Sequence, residues 1–128
     1  MERRTQWAHA TELPVDAVSA ARAREFVIEH LHAHGLSHLI ADVQLVASEL
    51  ATNALTHART PFTVALESAE NSVVLTVRDG APGRPTPARP RHLDVRGRGI
   101  AIVQVLSGSW GVDVDAGGGK SVWAAFDI

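Results

Sequence analysis

At 128 residues the chain is read as one domain, residues 1–128, long enough to bury roughly two thirds of its unfolded surface. With 12 basic against 14 acidic residues, a formal charge of −2 and a pI near 6.4, it carries no overall attraction to nucleic acid or to a membrane surface. The absence of cysteine excludes disulfides and thiol chemistry, and no apolar run approaches the ~20 residues of a bilayer span.

The amino end, Met1 to Trp7, has no continuous apolar stretch of signal-peptide length, so a cytoplasmic protein is expected, with small molecules or proteins as partners and neither nucleic acid nor membrane among them. Residues 5–10 read as a short strand around Trp7. Thr11-Glu12-Leu13-Pro14 then reads as a helix start, because proline is tolerated in a first turn where its missing N–H would lack a partner. Val18, Ala21, Phe26, Val27 and Leu31 give the next segment, Val15 to about His34, an amphipathic pattern, and Gly35 is placed to stop it. His30, His32, His34 and His38 straddle that stop. Their spacing shares no single helical face and no carboxylate or cysteine cluster accompanies them, so a solvated helix end is favoured over a metal site.

Ser37 is placed as the N-cap of a second helix running from about His38 to Ala58. Within it Glu49, Asn53 and His57 recur every fourth residue, which stacks them on one polar stripe of an otherwise apolar helix and predicts that the stripe opens onto a cleft. After Arg59-Thr60-Pro61 the period changes to two: Phe62, Val64 and Leu66, a turn at Ser68-Ala69-Glu70-Asn71, then Val73, Leu75 and Val77 form a β-hairpin. A proline-rich loop follows Asp79-Gly80 as far as Asp94, and a loop of that length in so small a domain is usually functional. Order resumes at Val95-Arg96-Gly97-Arg98-Gly99-Ile100, glycines followed by a short apolar helix that Gly108 ends. Five of the 11 arginines (Arg84, Arg89, Arg91, Arg96 and Arg98) cluster in this loop and helix start, whereas the only lysine is Lys120.

Two strands close the chain, Trp110 to Val114 and Ser121 to Ile128, around the turn Asp115 to Lys120. In the last strand the alternation of Val122, Ala124 and Phe126 with Ser121, Trp123 and Ala125 has no clearly polar side, so its buried face is not legible. The sum is an α+β two-layer sandwich: a mixed, mainly antiparallel sheet covered on one face by three helices.

Each chemical signal has an ordinary reading beside the functional one. Gly97-Arg98-Gly99 before a helix suits phosphate, since glycines admit close approach and a helix start attracts anions, but such glycines also simply make turns. It is neither a dinucleotide nor a P-loop fingerprint, because the third glycine and the Gly-Lys-Ser/Thr are missing. Asp79-Gly80 is a common turn pair, or a carboxylate placed to accept from an exocyclic amine. Glu49 and Asn53 could hydrogen-bond a neighbouring loop, and as transition-metal ligands Glu49 and His57 lack a third partner.

Taken together and in order, Glu49-x-x-x-Asn53, Asp79-Gly80, Gly97-Arg98-Gly99-Ile100 and Gly119-Lys120-Ser121-Val122-Trp123 resemble the N-box, G1 box, G2 box and final strand of the GHKL ATPase superfamily. The likeness runs from about Pro14 to Phe126 and is nearest to the small bacterial anti-sigma-factor serine kinases. It implies the Bergerat fold, with ATP and Mg²⁺ between the helix layer and a lid. It further implies that Asn53 binds Mg²⁺, that Glu49 is the general base or orients the nucleophile, and that Asp79 takes the adenine amino group. Gly80 and Gly83 would complete the G1 box, Gly97, Arg98, Gly99 and Ile100 the phosphate-wrapping hinge, and Ser121 would stand where the family usually has threonine. Alanine at 81 replaces a G1 glycine.

The resemblance thus implies a Mg²⁺-ATP-dependent serine/threonine kinase acting on a small antagonist protein, with a sigma factor among its partners and homodimerisation common among its relatives. A second reading is a binding module that sequesters a sigma factor or another regulator with nucleotide as a structural effector. A third is a globular domain with no nucleotide at all.

Overall fold

The computed structural model describes residues 6–80, 97–114 and 119–128, and within them the expected α+β sandwich is present. Most of the proline-rich loop, with Gly83, Arg84, Arg89, Arg91 and Arg96, and residues 115–118 of the last turn lie outside the described residues. The elements are β1 (Ala8–Leu13), α1 (Ser19–Ala33), α2 (Ile40–Asn53), β2 (Phe62–Ala69), β3 (Ser72–Asp79), α3 (Gly97–Leu106), β4 (Ser109–Val114) and β5 (Lys120–Asp127). The strands form one sheet in the order β1-β2-β3-β5-β4, and every described pairing is antiparallel, more uniform than the mixed sheet expected.

Of the helix start expected at Thr11 to Pro14, Thr11 to Leu13 are instead strand. β1 runs through Leu13 in register with Phe62, and this end of the strand gains ladder hydrogen bonds and buries Leu13 that a helix start would leave outside the core. The helix begins five residues later. Asp16 accepts the Val18 N–H at 2.9 Å, and the buried Ser19 hydroxyl donates to the Pro14 carbonyl at 2.7 Å. Gly35 ends α1 as expected: at φ +75° it lets the Leu36 N–H reach the Leu31 carbonyl (2.8 Å) and its own N–H reach that of His32 (3.1 Å). This pattern closes the helix with Leu31 and Leu36 both buried.

Ser37 caps nothing. It opens a short 3₁₀ turn, Ser37–Leu39, ahead of α2, and its hydroxyl meets His32 Nδ1 at 3.1 Å. Beyond Asn53 the helix widens into a π turn, Ala54–Ala58, that ends at Arg59 in the left-handed region (φ 57°), with the Arg59 N–H on the Ala54 carbonyl.

The core lies between the sheet and the helices. Phe62, Val64 and Leu66 from β2, Val73, Leu75 and Val77 from β3, and Val122, Ala124 and Phe126 from β5 face Val27 and Leu31 of α1, Val43, Val46 and Leu50 of α2 and Val103 of α3. Fully burying one such side chain contributes about 1.5–3 kcal/mol relative to exposure. The opposite sheet face carries Trp123, packed so closely on Gly111 that a Cβ there would lie 2.7 Å from the indole.

The histidine-bearing helix end is exposed as expected, with His32, His34 and His38 open to solvent and His30 half-buried, but two of its rings are stacked. His34 stacks on Trp7 (centroids 4.0 Å, 6° between planes), His30 stacks on His9 (3.9 Å, 18°), and the Nε2 atoms of His9 and His34 lie 3.0 Å apart. No described group of three or more His, Cys, Asp or Glu is arranged to hold a metal ion. Burial and then the neighbouring His9 lower the His30 pKa below its ordinary 6.5; Glu29 raises it and His34 lowers it further. Well above pH 6.5 the ring is neutral whether the chain is folded or not. Below 6.5 the unfolded chain takes up a proton that the folded one resists, so stability falls with pH until the lower folded value is passed. The melting temperature is therefore expected to drop between pH 7 and pH 5.5, and to drop less in His30→Gln; an equal drop in both would remove His30 from this account.

Candidate functional site

The predicted stripe begins on α2. The face of α2 built from Val43, Val46, Ala47, Leu50 and Ala51 is buried against the sheet. Ser48, on one flank of that face, accepts a hydrogen bond from Arg24 of α1 at 3.2 Å. Helical spacing puts Glu49 and Asn53 on the other flank, one above the other, and α3 also packs against α2. Both residues are half-buried, and neither side chain makes a hydrogen bond or ion pair with another described side chain. A carboxylate and an amide are thus held a turn apart on a rigid helix with their bonding capacity directed outward.

His57 differs from the other two in burial. It lies in the π turn that follows α2 and is exposed, whereas Glu49 and Asn53 are half-buried.

The second component is the end of the central strand. Asp79, the last residue of β3, is buried to 4% exposure and sits between Phe62 of β2 and Lys120 of β5. Directly opposed residues of antiparallel strands share a face, and here that face is the one covered by helices. The next residue, Gly80, donates its N–H to Thr60 Oγ1 at 3.2 Å, which ties the strand end to the segment leaving the π turn. The buried carboxylate is thereby fixed near the carboxyl end of the α2 run. Lys120 Nζ lies 3.8 Å from Asp79 Oδ2.

Ser121 is not brought to this point. It pairs with Arg78 and Asp113 on the opposite sheet face, because strand alternation turns its side chain away from that of Lys120. Lys120 is the neighbour of Asp79 that sequence reasoning did not single out. The signal that could have found it is the parity of Val122, Ala124 and Phe126, had the buried face of β5 been legible.

The third component is α3. Gly97, Arg98, Gly99 and Ile100 lie inside its first turn rather than before it, so their backbone N–H groups are the ones a helix leaves without partners of its own. Gly83 lies outside the described residues.

Asn53 supplies an amide oxygen with no hydrogen bond to another described side chain, a ligand type that Mg²⁺ accepts while keeping water and phosphate oxygens as its other ligands. Asp79 supplies a buried acceptor suited to an amine. These residues therefore fit a magnesium nucleotide. No helix among the described residues is long and apolar enough to cross a membrane.

Residues 13–126 match the histidine kinase-like ATPase domain. Among solved structures, the RsbU and RsbW domains of Rv1364c from Mycobacterium tuberculosis are similar with a TM-score of 0.73 and 22% identity, over 95% of this chain and 32% of that one. This chain therefore spans under a third of that protein's length. The Acinetobacter baumannii histidine kinase AdeS is similar with a TM-score of 0.54 and 14% identity, over 94% of this chain and 68% of the other. At such identities the likeness is one of fold. No curated protein matches.

Proposed function

The chain belongs to the histidine kinase-like ATPase domain family, and from that premise we propose that it binds Mg²⁺-ATP and transfers the γ-phosphoryl group to a serine or threonine of a small antagonist protein. It acts in the cytoplasm as a kinase of the anti-sigma-factor type. The observation that carries the reading is the pair Glu49 and Asn53, half-buried a turn apart on α2, beside a strand end bearing the buried Asp79.

Asp79 accepts from the exocyclic amine of the base, and its burial keeps water from competing for that hydrogen bond. The backbone N–H groups at the start of α3, with Gly97 and Gly99 permitting close approach, hold the phosphates. Asn53 supplies the protein oxygen to Mg²⁺, which when bound neutralises charge on the phosphate oxygens. Glu49 accepts the proton of the attacking hydroxyl and orients it in line with the γ-phosphorus.

The reading is tested by calorimetric titration with Mg²⁺-ATP together with radioactive phosphate transfer to proteins retained from the native lysate. Binding is expected, with label appearing on a serine or threonine of a small partner. Binding with no labelled partner would sink the kinase, and absence of binding would sink the nucleotide reading altogether.

A further inference from the structure

Lys120 occupies an anomalous position. Along β5 it shares its face with Val122, Ala124 and Phe126, all of them core residues, so a lysine stands where the strand's pattern calls for an apolar side chain. Pairing with the buried Asp79 accounts for the charge. It does not account for the geometry, because 3.8 Å is beyond hydrogen-bond length and leaves the ammonium donors without a hydrogen bond among the described residues. The side chain keeps 28% exposure and Asp79 only 5%, so an acceptor and a donor lie side by side at one rim, the acceptor deep and the donor shallow.

We propose that Asp79 and Lys120 together read the edge of the purine: the carboxylate accepts from the exocyclic amine, and Lys120 Nζ donates to the adjacent ring nitrogen, N1 of adenine. Adenine presents a donor and an acceptor next to one another on its pairing edge, the complement of this pair. A carboxylate alone recognises any amine that reaches it, whereas the added donor rejects bases that lack the neighbouring acceptor, since their edge would leave a cation facing a C–H. The inference rests on the nucleotide reading above and makes Lys120 a specificity-determining residue of that site.

The test compares ATP with 1-deaza-ATP, which keeps the amine and replaces N1 by C–H, on the wild-type chain and on Lys120→Met, which keeps the aliphatic stem. The wild type is expected to bind ATP about tenfold more tightly than 1-deaza-ATP, the low end for a hydrogen bond to a charged group at a partly exposed site. Lys120→Met is expected to bind the two alike. Any general effect of losing the counter-ion beside Asp79 weakens both nucleotides equally and cancels in the ratio. A ratio near one in the wild type, or an unchanged ratio in Lys120→Met, overturns the assignment while leaving nucleotide binding intact. Failure of the wild type to bind ATP overturns both.

Discussion

Glu49→Ala is expected to bind Mg²⁺-ATP with wild-type affinity while phosphoryl transfer falls by about 10²–10⁴, the usual contribution of a positioned general base. That range corresponds to roughly 3–5 kcal/mol of barrier. Binding survives because Glu49 lies on the flank of α2 without a described side-chain partner, so truncation to alanine leaves no orphaned polar group and opens no core cavity. Transfer does not survive, because no other described carboxylate stands within a helical turn of Asn53 on that flank. Single-turnover labelling of the partner beside a calorimetric titration separates the two quantities. Wild-type transfer by the variant would remove Glu49 from the chemistry. The same variant divides the kinase from a sequestering module, whose retention of a partner would be untouched by the substitution.

Asp79→Asn is expected to lower the affinity for ATP by about 10–100-fold, the loss that follows when a charge-assisted hydrogen bond of ~1.5–3 kcal/mol becomes a neutral one or is inverted. The carboxylate is buried at the end of the central strand, so water cannot replace the missing contact, and the Asn amide can present its NH₂ to the amine it should accept from. Purine riboside triphosphate, which lacks the 6-amino group, is expected to bind wild type and variant alike, since the contact removed does not exist for it. Melting temperatures measured alongside separate a folding defect from a binding one. Unchanged ATP affinity in a folded Asp79→Asn protein would place the base elsewhere.

Much of the architecture was legible from local pattern. The amphipathic period of α1, the Gly35 stop and the β2–β3 hairpin all follow from one segment's own residues, since a hydrophobic period of 3.6 or 2 and a glycine free to adopt positive φ act over a few positions. Gln6 and Trp7 fall outside that reach. Their N–H groups both donate to the Ser68 hydroxyl, more than 60 residues away, and β1 runs on to Leu13 because β2 lies beside it. A proline three residues after a threonine and two after a glutamate looks like a helix start only while the neighbouring strand is out of view.

At the site the division is the same. The sequence by itself determined the residue types and their order, Glu49 and Asn53 a turn apart, Asp79 at a strand end and the glycines at the start of α3, because spacing along one element sets which face its side chains share. Tertiary structure alone decided what those faces meet. The helix end left His57 exposed while Glu49 and Asn53 are half-buried, and contacts across the chain stacked His34 on Trp7 and His30 on His9. The register of β5 against β3 chose Lys120 over Ser121 as the neighbour of Asp79. In a strand whose two faces are almost equally apolar, a shift of one residue inverts every side chain, and only pairing with an adjacent strand fixes which face is buried.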